Sequence, residues 1–218
     1  MTSGARALIF DMDGTLLDSE PMHFGVARGI FAEDGLDFTL ELNAEFIGQS
    51  SHHVMARLVE RHRLPRTPDQ YLALYEERIV QVMSKASTAT DGVAELLAEL
   101  ARRGLPVGVA SNSSIQLVRA TLTGLGIIGQ FGALVGGDMV PHGKPAPDVY
   151  LEAARQLSVP PAECVAIEDS PTGLAAVLAA GMTGVALVTA HVDPARFQGP
   201  HRVVHSLRDF PLELLAGG

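Results

Sequence analysis

The sequence is poor in several residue types, and each shortage excludes a class of protein. It contains a single cysteine, Cys164, so no disulfide can form within the chain. Lysine occurs only at Lys85 and Lys144, and the formal net charge is −9, which argues against nucleic-acid binding because phosphate backbones attract clustered basic residues. No uncharged apolar run reaches the ~18 residues of a membrane span, and no secretory signal pattern is evident. We therefore expect a cytoplasmic protein without nucleic-acid or membrane partners.

The chain is nevertheless rich in apolar residues, which make up 47% of its 218 positions. That is enough for one large domain, or for a core domain that carries a smaller insert. Short apolar runs alternate with helical patterns, which predicts an α/β fold with a doubly wound parallel sheet of the Rossmann-like type. The predicted strands cover residues 7–10, 105–110, 131–136, 164–167 and 184–188. The predicted core helices cover residues 92–103, 114–125, 148–157 and 172–180.

The segment 19–86 differs from the rest, because it contains helical patterns without a strand between them. We expect helices at residues 21–34, 40–47, 51–62 and 68–85. This pattern indicates an all-helical cap domain at 19–86, inserted into a catalytic core formed by 1–18 and 87–218. Such an insert lies above the carboxyl ends of the strands, where ligands bind in open α/β sheets.

Polar residues stand at strand ends or in loops of this otherwise apolar core. They are Asp11 and Asp13 after the first strand, Ser111 after the second, Lys144 in the loop PHGKPAPD, and Glu168 with Asp169 after the strand CVAI. Because the carboxyl ends of parallel strands share one edge of the sheet, we expect these groups to converge.

The residue types point to phosphate chemistry. An oxygen-rich carboxylate site suits Mg²⁺, and a carboxylate such as Asp11 can attack phosphorus to give an aspartyl phosphate. Asp13 could act as acid and base, which would require a raised pKa. The Lys144 ammonium would offset the repulsion between anions. Gly14, with Asp13 and Thr15, would let backbone N–H groups approach the phosphate closely.

With these residues in view, the chain resembles the haloacid dehalogenase-like hydrolases. It is similar to the branch that contains β-phosphoglucomutase and small sugar-phosphate phosphatases with a small helical cap. The family's four ordered motifs match DMDGTLLDSE at 11–20, ASNS at 110–113, GKPAPD at 143–148 and IEDSPTG at 167–173. Together they span nearly the whole chain in the right order.

The resemblance implies a role for each matched residue. Asp11 corresponds to the nucleophile and a metal ligand, and Asp13 to the acid/base whose backbone carbonyl also binds Mg²⁺. Asp169 and Glu168 complete the metal site, with Glu168 ligating either directly or through water. The matched phosphate-binding residues are Ser111, Asn112 and Lys144.

The resemblance implies a phosphatase and leaves two alternatives open. A β-phosphoglucomutase would carry positive groups where this chain has Ser51, after the turn that begins at Gly48, and Ser114. Their absence favours hydrolysis over phosphoryl return. The second alternative is a non-catalytic phospho-acceptor of the response-regulator type, which lacks the cap and the DxDGT motif. We predict a monomer that acts on a small sugar or polyol phosphate, with His23 of the cap as a further site candidate.

Overall fold

The computed structural model describes residues 4–46, 51–86, 88–189, 192–199 and 201–216, and the side chains of residues 51 and 52 lie outside that description. The predictions for Gly48 and for the Ser51 side chain therefore fall outside the described part of the chain. Among the described helices, none combines the length and the hydropathy of a transmembrane span.

A parallel sheet forms the centre of the molecule, with strand order β3-β2-β1-β4-β5-β6. The strands are β1 (Ala7–Phe10), β2 (Val107–Ala110), β3 (Ala133–Val135), β4 (Cys164–Glu168), β5 (Thr183–Leu187) and β6 (His201–Val204). The first four predicted strands are found at β1 to β4 with small changes at their ends, and the fifth is shifted by one residue. The edge strand β6 is not among these five, because its sequence fits a strand or a loop: two of its four residues are exposed and its apolar run is short.

Helices cover both faces of the sheet, which makes it doubly wound. They are α5 (Val93–Arg102), α6 (Ile115–Gly124), α7 (Asp148–Leu157) and α8 (Pro171–Ala179). The side chains of β1 alternate between the two layers: Leu8 and Phe10 join the core cluster that contains the buried residues of α5 and α6, and Ile9 joins the cluster of α7 and α8. Since β1 is buried on both faces, its four residues form a continuous apolar run.

Four helices follow β1 before the chain returns to the sheet at α5. They are α1 (Glu20–Ala32), α2 (Leu40–Ala44), α3 (Ser51–His62) and α4 (Pro68–Met83). The start of α4 shows why the sequence forms helices here: Thr67 and Gln70 make a reciprocal capping box, and Pro68 occupies the first turn. The predicted α/β fold with an inserted helical cap is confirmed. The exact limits at residues 18 and 87 stay a prediction.

The cap packs onto the core through a shared apolar cluster. Leu16 and Leu17, which follow β1, belong to the same buried cluster as Phe31 of α1 and Ile79 of α4. Helix α4 also contacts α6 of the core. The cap therefore lies beside the edge of the sheet at which β1 ends.

Candidate active site

The predicted polar residues meet at the carboxyl ends of β1, β2 and β4. The strand order reverses at this point, because the connection from β1 leads to β2 on one side and β4 lies on the other. In open α/β sheets such a reversal leaves a crevice in which ligands bind. Asp11 directly follows β1, and its backbone N–H donates to the carbonyl of Ile167 at 2.9 Å. Register therefore places Asp11 beside the acidic end of β4.

Three carboxylates form a compact cluster there. One oxygen each from Asp11, Glu168 and Asp169 lies within 4.8 Å of the others. The Nζ atom of Lys144 lies 2.5 Å from Oδ1 of Asp11 and 2.6 Å from Oε1 of Glu168. One ammonium against three carboxylates leaves the cluster with excess negative charge, which a divalent cation would neutralise.

Burial and mutual repulsion change the pKa values in this cluster. Burial, followed by the Glu168 charge, raises the pKa of Asp11 well above its ordinary value and that of Asp169 to about 7. Burial alone would lower the pKa of Lys144, but the carboxylates of Asp11 and Glu168 more than offset it, so this pKa is raised. Lys144 is thus a permanent cation at neutral pH, and a bound metal would favour the ionised carboxylates.

The backbone at Lys144 is held by the loop that follows β2. Oδ1 of Asn112 accepts the backbone N–H of Lys144 at 2.8 Å, and the Asn112 amide nitrogen donates to the Lys144 carbonyl at 3.5 Å. In this structure the predicted phosphate-binding residue Asn112 has its side chain engaged in positioning the lysine. Ser111, which was predicted beside it, is buried, and its Oγ accepts the backbone N–H of Ser113 at 3.0 Å.

Tyr150 of α7 belongs to the site and was not predicted. Its hydroxyl donates to Oε1 of Glu168 at 2.6 Å, and its ring centroid lies 5.0 Å from Nζ of Lys144. The sequence carried a weak signal, since a fully buried tyrosine needs a partner for its hydroxyl. The other Glu168 oxygen accepts from the backbone and hydroxyl of Ser170. Gly173 leaves the necessary room, because a Cβ there would lie 1.9 Å from that carboxylate.

Asp13 contacts both the loop that follows β2 and helix α1 of the cap. Its Oδ2 accepts from the hydroxyl of Ser113 at 2.9 Å, and its Oδ1 lies 3.4 Å from Nε2 of His23 on α1. The expectation of a raised pKa is wrong in this arrangement. Burial does raise the pKa of Asp13, but hydrogen bonding and charge from His23, with hydrogen bonds from Ser19 and Ser113, lower it overall.

Gly14 has a structural role in addition to the predicted one. Its backbone N–H donates to the carbonyl of Leu17 at 2.9 Å, and that of Thr15 donates to Met12, so both groups are engaged within the turn in this structure. The predicted approach of backbone N–H groups to the phosphate stays a prediction. Gly14 has a φ of +80°, and a Cβ at this position would lie 2.0 Å from Oδ2 of Asp169. Glycine is therefore required to make room for a carboxylate of the cluster.

Comparison with known proteins assigns the chain to a family. The model of the haloacid dehalogenase-like hydrolases matches residues 5–181. Fructose-1-phosphate phosphatase YqaB of Escherichia coli is 33% identical over 82% of this chain and 94% of its own. β-Phosphoglucomutase of Bacillus subtilis is 30% identical, with 96% and 93% covered.

A solved structure agrees with this assignment over almost the entire chain. CbbY of Rhodobacter sphaeroides, in complex with xylulose-(1,5)bisphosphate, superposes with a TM-score of 0.82 at 31% identity, covering 97% of this chain and 99% of the other. The family model, the relatives and the capped α/β fold thus lead to one assignment. The chain belongs to the haloacid dehalogenase-like hydrolases.

Proposed function

We propose that this protein is a Mg²⁺-dependent phosphatase that hydrolyses a small phosphorylated sugar or polyol through an aspartyl phosphate on Asp11. The observation that carries the proposal is the position of Asp11, whose carboxylate is buried at the centre of an acidic cluster and touches the ammonium of Lys144. Asp13 follows two residues later with its own separate set of partners.

The donor set of the cluster fits a hard divalent cation. Carboxylate oxygens from Asp11 and Asp169 would hold it, with the backbone carbonyl of Asp13 as the further ligand that the family resemblance implies. Glu168 already accepts from Lys144, Tyr150 and Ser170, which suits it to fix the cluster or to hold a metal-bound water. When bound, Mg²⁺ would supply positive charge to the transferring phosphoryl group and keep the carboxylates ionised.

In the first step, an oxygen of Asp11 attacks phosphorus while the bond to the leaving oxygen breaks. Asp13 gives a proton to that oxygen, so a neutral alcohol departs and the phosphoryl group stays on Asp11. Because the lowered pKa of Asp13 leaves this carboxylate ionised, the proton that it gives first reaches it from His23, whose Nε2 lies 3.4 Å from Oδ1 of Asp13. Lys144 stabilises the negative charge that gathers on the phosphoryl oxygens.

In the second step, water attacks the aspartyl phosphate and gives its proton to Asp13. The P–O bond to Asp11 breaks, inorganic phosphate leaves, and the carboxylate is restored. The lowered pKa of Asp13 suits this half of the cycle, because an ionised carboxylate is ready to take a proton.

The relatives support the substrate class. YqaB is named a fructose-1-phosphate phosphatase, and a 28%-identical relative from Thermotoga maritima is named a phosphorylated carbohydrates phosphatase. Both names support a phosphorylated sugar as the substrate class. We also keep the expectation of a cytoplasmic monomer, which sedimentation equilibrium of the pure protein would test for its oligomeric part.

The direct test is hydrolysis of p-nitrophenyl phosphate by the purified protein in the presence of MgCl₂. Asp11→Asn should remove turnover by a factor of at least about 1,000 while the protein stays folded, because the nucleophile is lost. Phosphorylation of the wild type to one equivalent without turnover would instead favour the phospho-acceptor alternative. A panel of sugar and polyol phosphates would then identify the substrate.

The mutase alternative keeps one point in its favour, the 30% identity to a β-phosphoglucomutase. Against it, Ser114 carries no positive charge. Its hydroxyl caps the N-terminus of α6 and accepts the backbone N–H of Leu117. Interconversion of hexose 1- and 6-phosphates, dependent on a bisphosphate, would reveal a mutase. We expect release of inorganic phosphate.

A further inference from the structure

Two cap residues and one core residue form a chain of contacts, of which the proposed reaction uses only the contact between His23 and Asp13. The hydroxyl of Tyr75 on α4 lies 2.5 Å from Nδ1 of His23 on α1. The other ring nitrogen of His23 faces Oδ1 of Asp13 at 3.4 Å. The rings of Tyr75 and His23 are nearly parallel, with an interplanar angle of 21°. All three side chains are half-buried, and sequence reasoning had singled out only His23 and Asp13.

The hydroxyl of Tyr75 holds Nδ1 of His23, so Nε2 is the ring nitrogen that faces Asp13. A phenol can donate to Nδ1 of a neutral imidazole, which leaves the proton on Nε2. It can also accept from Nδ1–H when the ring is charged, and Nε2 then carries a proton as well. Burial and the charges of Asp13 and Glu20 raise the pKa of Tyr75, so its proton stays in place. In both of these arrangements Nε2 directs an N–H at the carboxylate of Asp13.

We infer that Tyr75 is a positioning residue, which holds the His23 ring so that its Nε2 faces the acid/base carboxylate of Asp13. The inference rests on the proposed function, because it assumes that Asp13 transfers a proton. Without the hydroxyl, the ring of His23 is free to rotate or to present a lone pair, which would repel the carboxylate. The contact of 3.4 Å is of the kind that shortens when substrate binds.

A second tyrosine of α4 provides a control that separates a positioning role of the Tyr75 hydroxyl from a purely structural one. Tyr71 donates to Oδ2 of Asp34 at 2.6 Å. Asp34 lies just after the end of α1, whereas His23 lies near its start. Tyr71→Phe therefore removes one comparable hydrogen bond within the cap. It leaves His23 and its contact with Asp13 in place.

The experiment compares two substrates whose leaving groups differ in their need for a proton. p-Nitrophenyl phosphate releases a stable phenolate, whereas β-glycerol phosphate releases an alkoxide that needs protonation. Because kcat/KM reports the steps up to departure of the leaving group, it isolates the role of Asp13 as an acid. The ratio of the two kcat/KM values, measured on one preparation, is independent of the fraction of folded enzyme.

For Tyr75→Phe we expect kcat/KM to fall about tenfold on β-glycerol phosphate and by less than about threefold on p-nitrophenyl phosphate. Tyr71→Phe should leave the ratio unchanged. In a His23→Ala background, Tyr75→Phe should have no further effect on the ratio, because the residue through which it acts is gone.

Three results would overturn the inference. An unchanged ratio in Tyr75→Phe would mean that its hydroxyl only stabilises the cap. Independent effects of Tyr75→Phe and His23→Ala would mean that Tyr75 does not act through His23. A wild type that hydrolyses neither substrate with MgCl₂ would remove the proposed function itself, and this inference with it.

Discussion

The ammonium of Lys144 lies 2.5 Å from a carboxylate oxygen of Asp11, and both side chains are almost completely buried. The same ammonium also reaches Glu168, which is 1% exposed. A single cation therefore balances two buried carboxylates in the absence of metal. This relationship couples the stability of the site to its chemistry, since the same charge would stabilise the phosphoryl group in transfer.

Removing that cation should affect both folding and turnover. Lys144→Met leaves buried carboxylates without their partner, so we expect the free energy of unfolding to fall by about 3 kcal/mol at pH 8 without metal. Phosphatase activity should fall at least about 100-fold. Chemical denaturation and steady-state kinetics measure the two effects. Lys85→Met is the matched control, because Lys85 is exposed at the end of α4; an equal loss in both variants would contradict the prediction.

Gly14→Ala should displace a metal ligand. A Cβ at position 14 would lie 2.0 Å from Oδ2 of Asp169, so that carboxylate must move and the apparent affinity for Mg²⁺ should fall about 10- to 100-fold. A Mg²⁺ titration of activity measures this change. Gly35→Ala is the control: Gly35 has a φ of +79°, close to that of Gly14, but a Cβ there would meet nothing within 4 Å. In both variants the left-handed backbone should lower the free energy of unfolding by about 1–2 kcal/mol. Only Gly14→Ala should weaken Mg²⁺ binding.

Stabilisation by magnesium should depend on pH through Asp169. The pKa of this carboxyl group is raised to about 7, above the ordinary value of about 4. Without metal, the stability contributed by its neutral form is present at low pH and is lost as the pH rises through 7. Mg²⁺ binds the ionised form, so MgCl₂ should raise Tm more at pH 8 than at pH 6. Thermal unfolding with and without MgCl₂ tests this, and Asp169→Asn should reduce the difference, with the remainder due to Asp11, whose pKa is also raised.

Two adjacent serines should respond in opposite ways to replacement by alanine. Ser113 donates to Asp13 at 2.9 Å, whereas Ser114 caps α6 and accepts from Leu117. Ser113→Ala should lower kcat about three- to tenfold with little change in stability, because it frees the acid/base carboxylate. Ser114→Ala should cost about 1 kcal/mol of stability and leave kcat near that of the wild type. The prediction fails if Ser114→Ala is the variant with the larger loss of kcat.

Local pattern was sufficient for most of the architecture. The run Ala7–Phe10 is apolar at every position because β1 is buried on both faces, and its limits were predicted correctly. The start of α4 was equally legible, since Thr67, Pro68 and Gln70 act within one turn of helix. Strand β6 could not be told from a loop by its sequence, because it lies at the edge of the sheet, where exposed residues weaken the apolar signal.

The sequence also predicts which side chains meet in the site, because the motif residues follow strands whose carboxyl ends lie at one edge of a parallel sheet. Asp11, Lys144, Glu168 and Asp169 converge as expected. The sequence does not predict the pKa values of these groups. The pKa of Asp13 is lowered, against expectation, because it depends on donors from two other segments, His23 of the cap and Ser113 of the loop after β2.

Sequence alone therefore settles which residue types this protein places after which strands, since hydrophobic periodicity and capping act over a few neighbouring positions. The contacts of Tyr75 with His23 and of Tyr150 with Glu168 join residues 52 and 18 positions apart, and no local rule connects them. Only the packing of α4 against α1, and of α7 against the sheet, brings these hydroxyl groups within hydrogen-bonding distance. That packing determines which atoms each predicted site residue bonds to and how deeply it is buried.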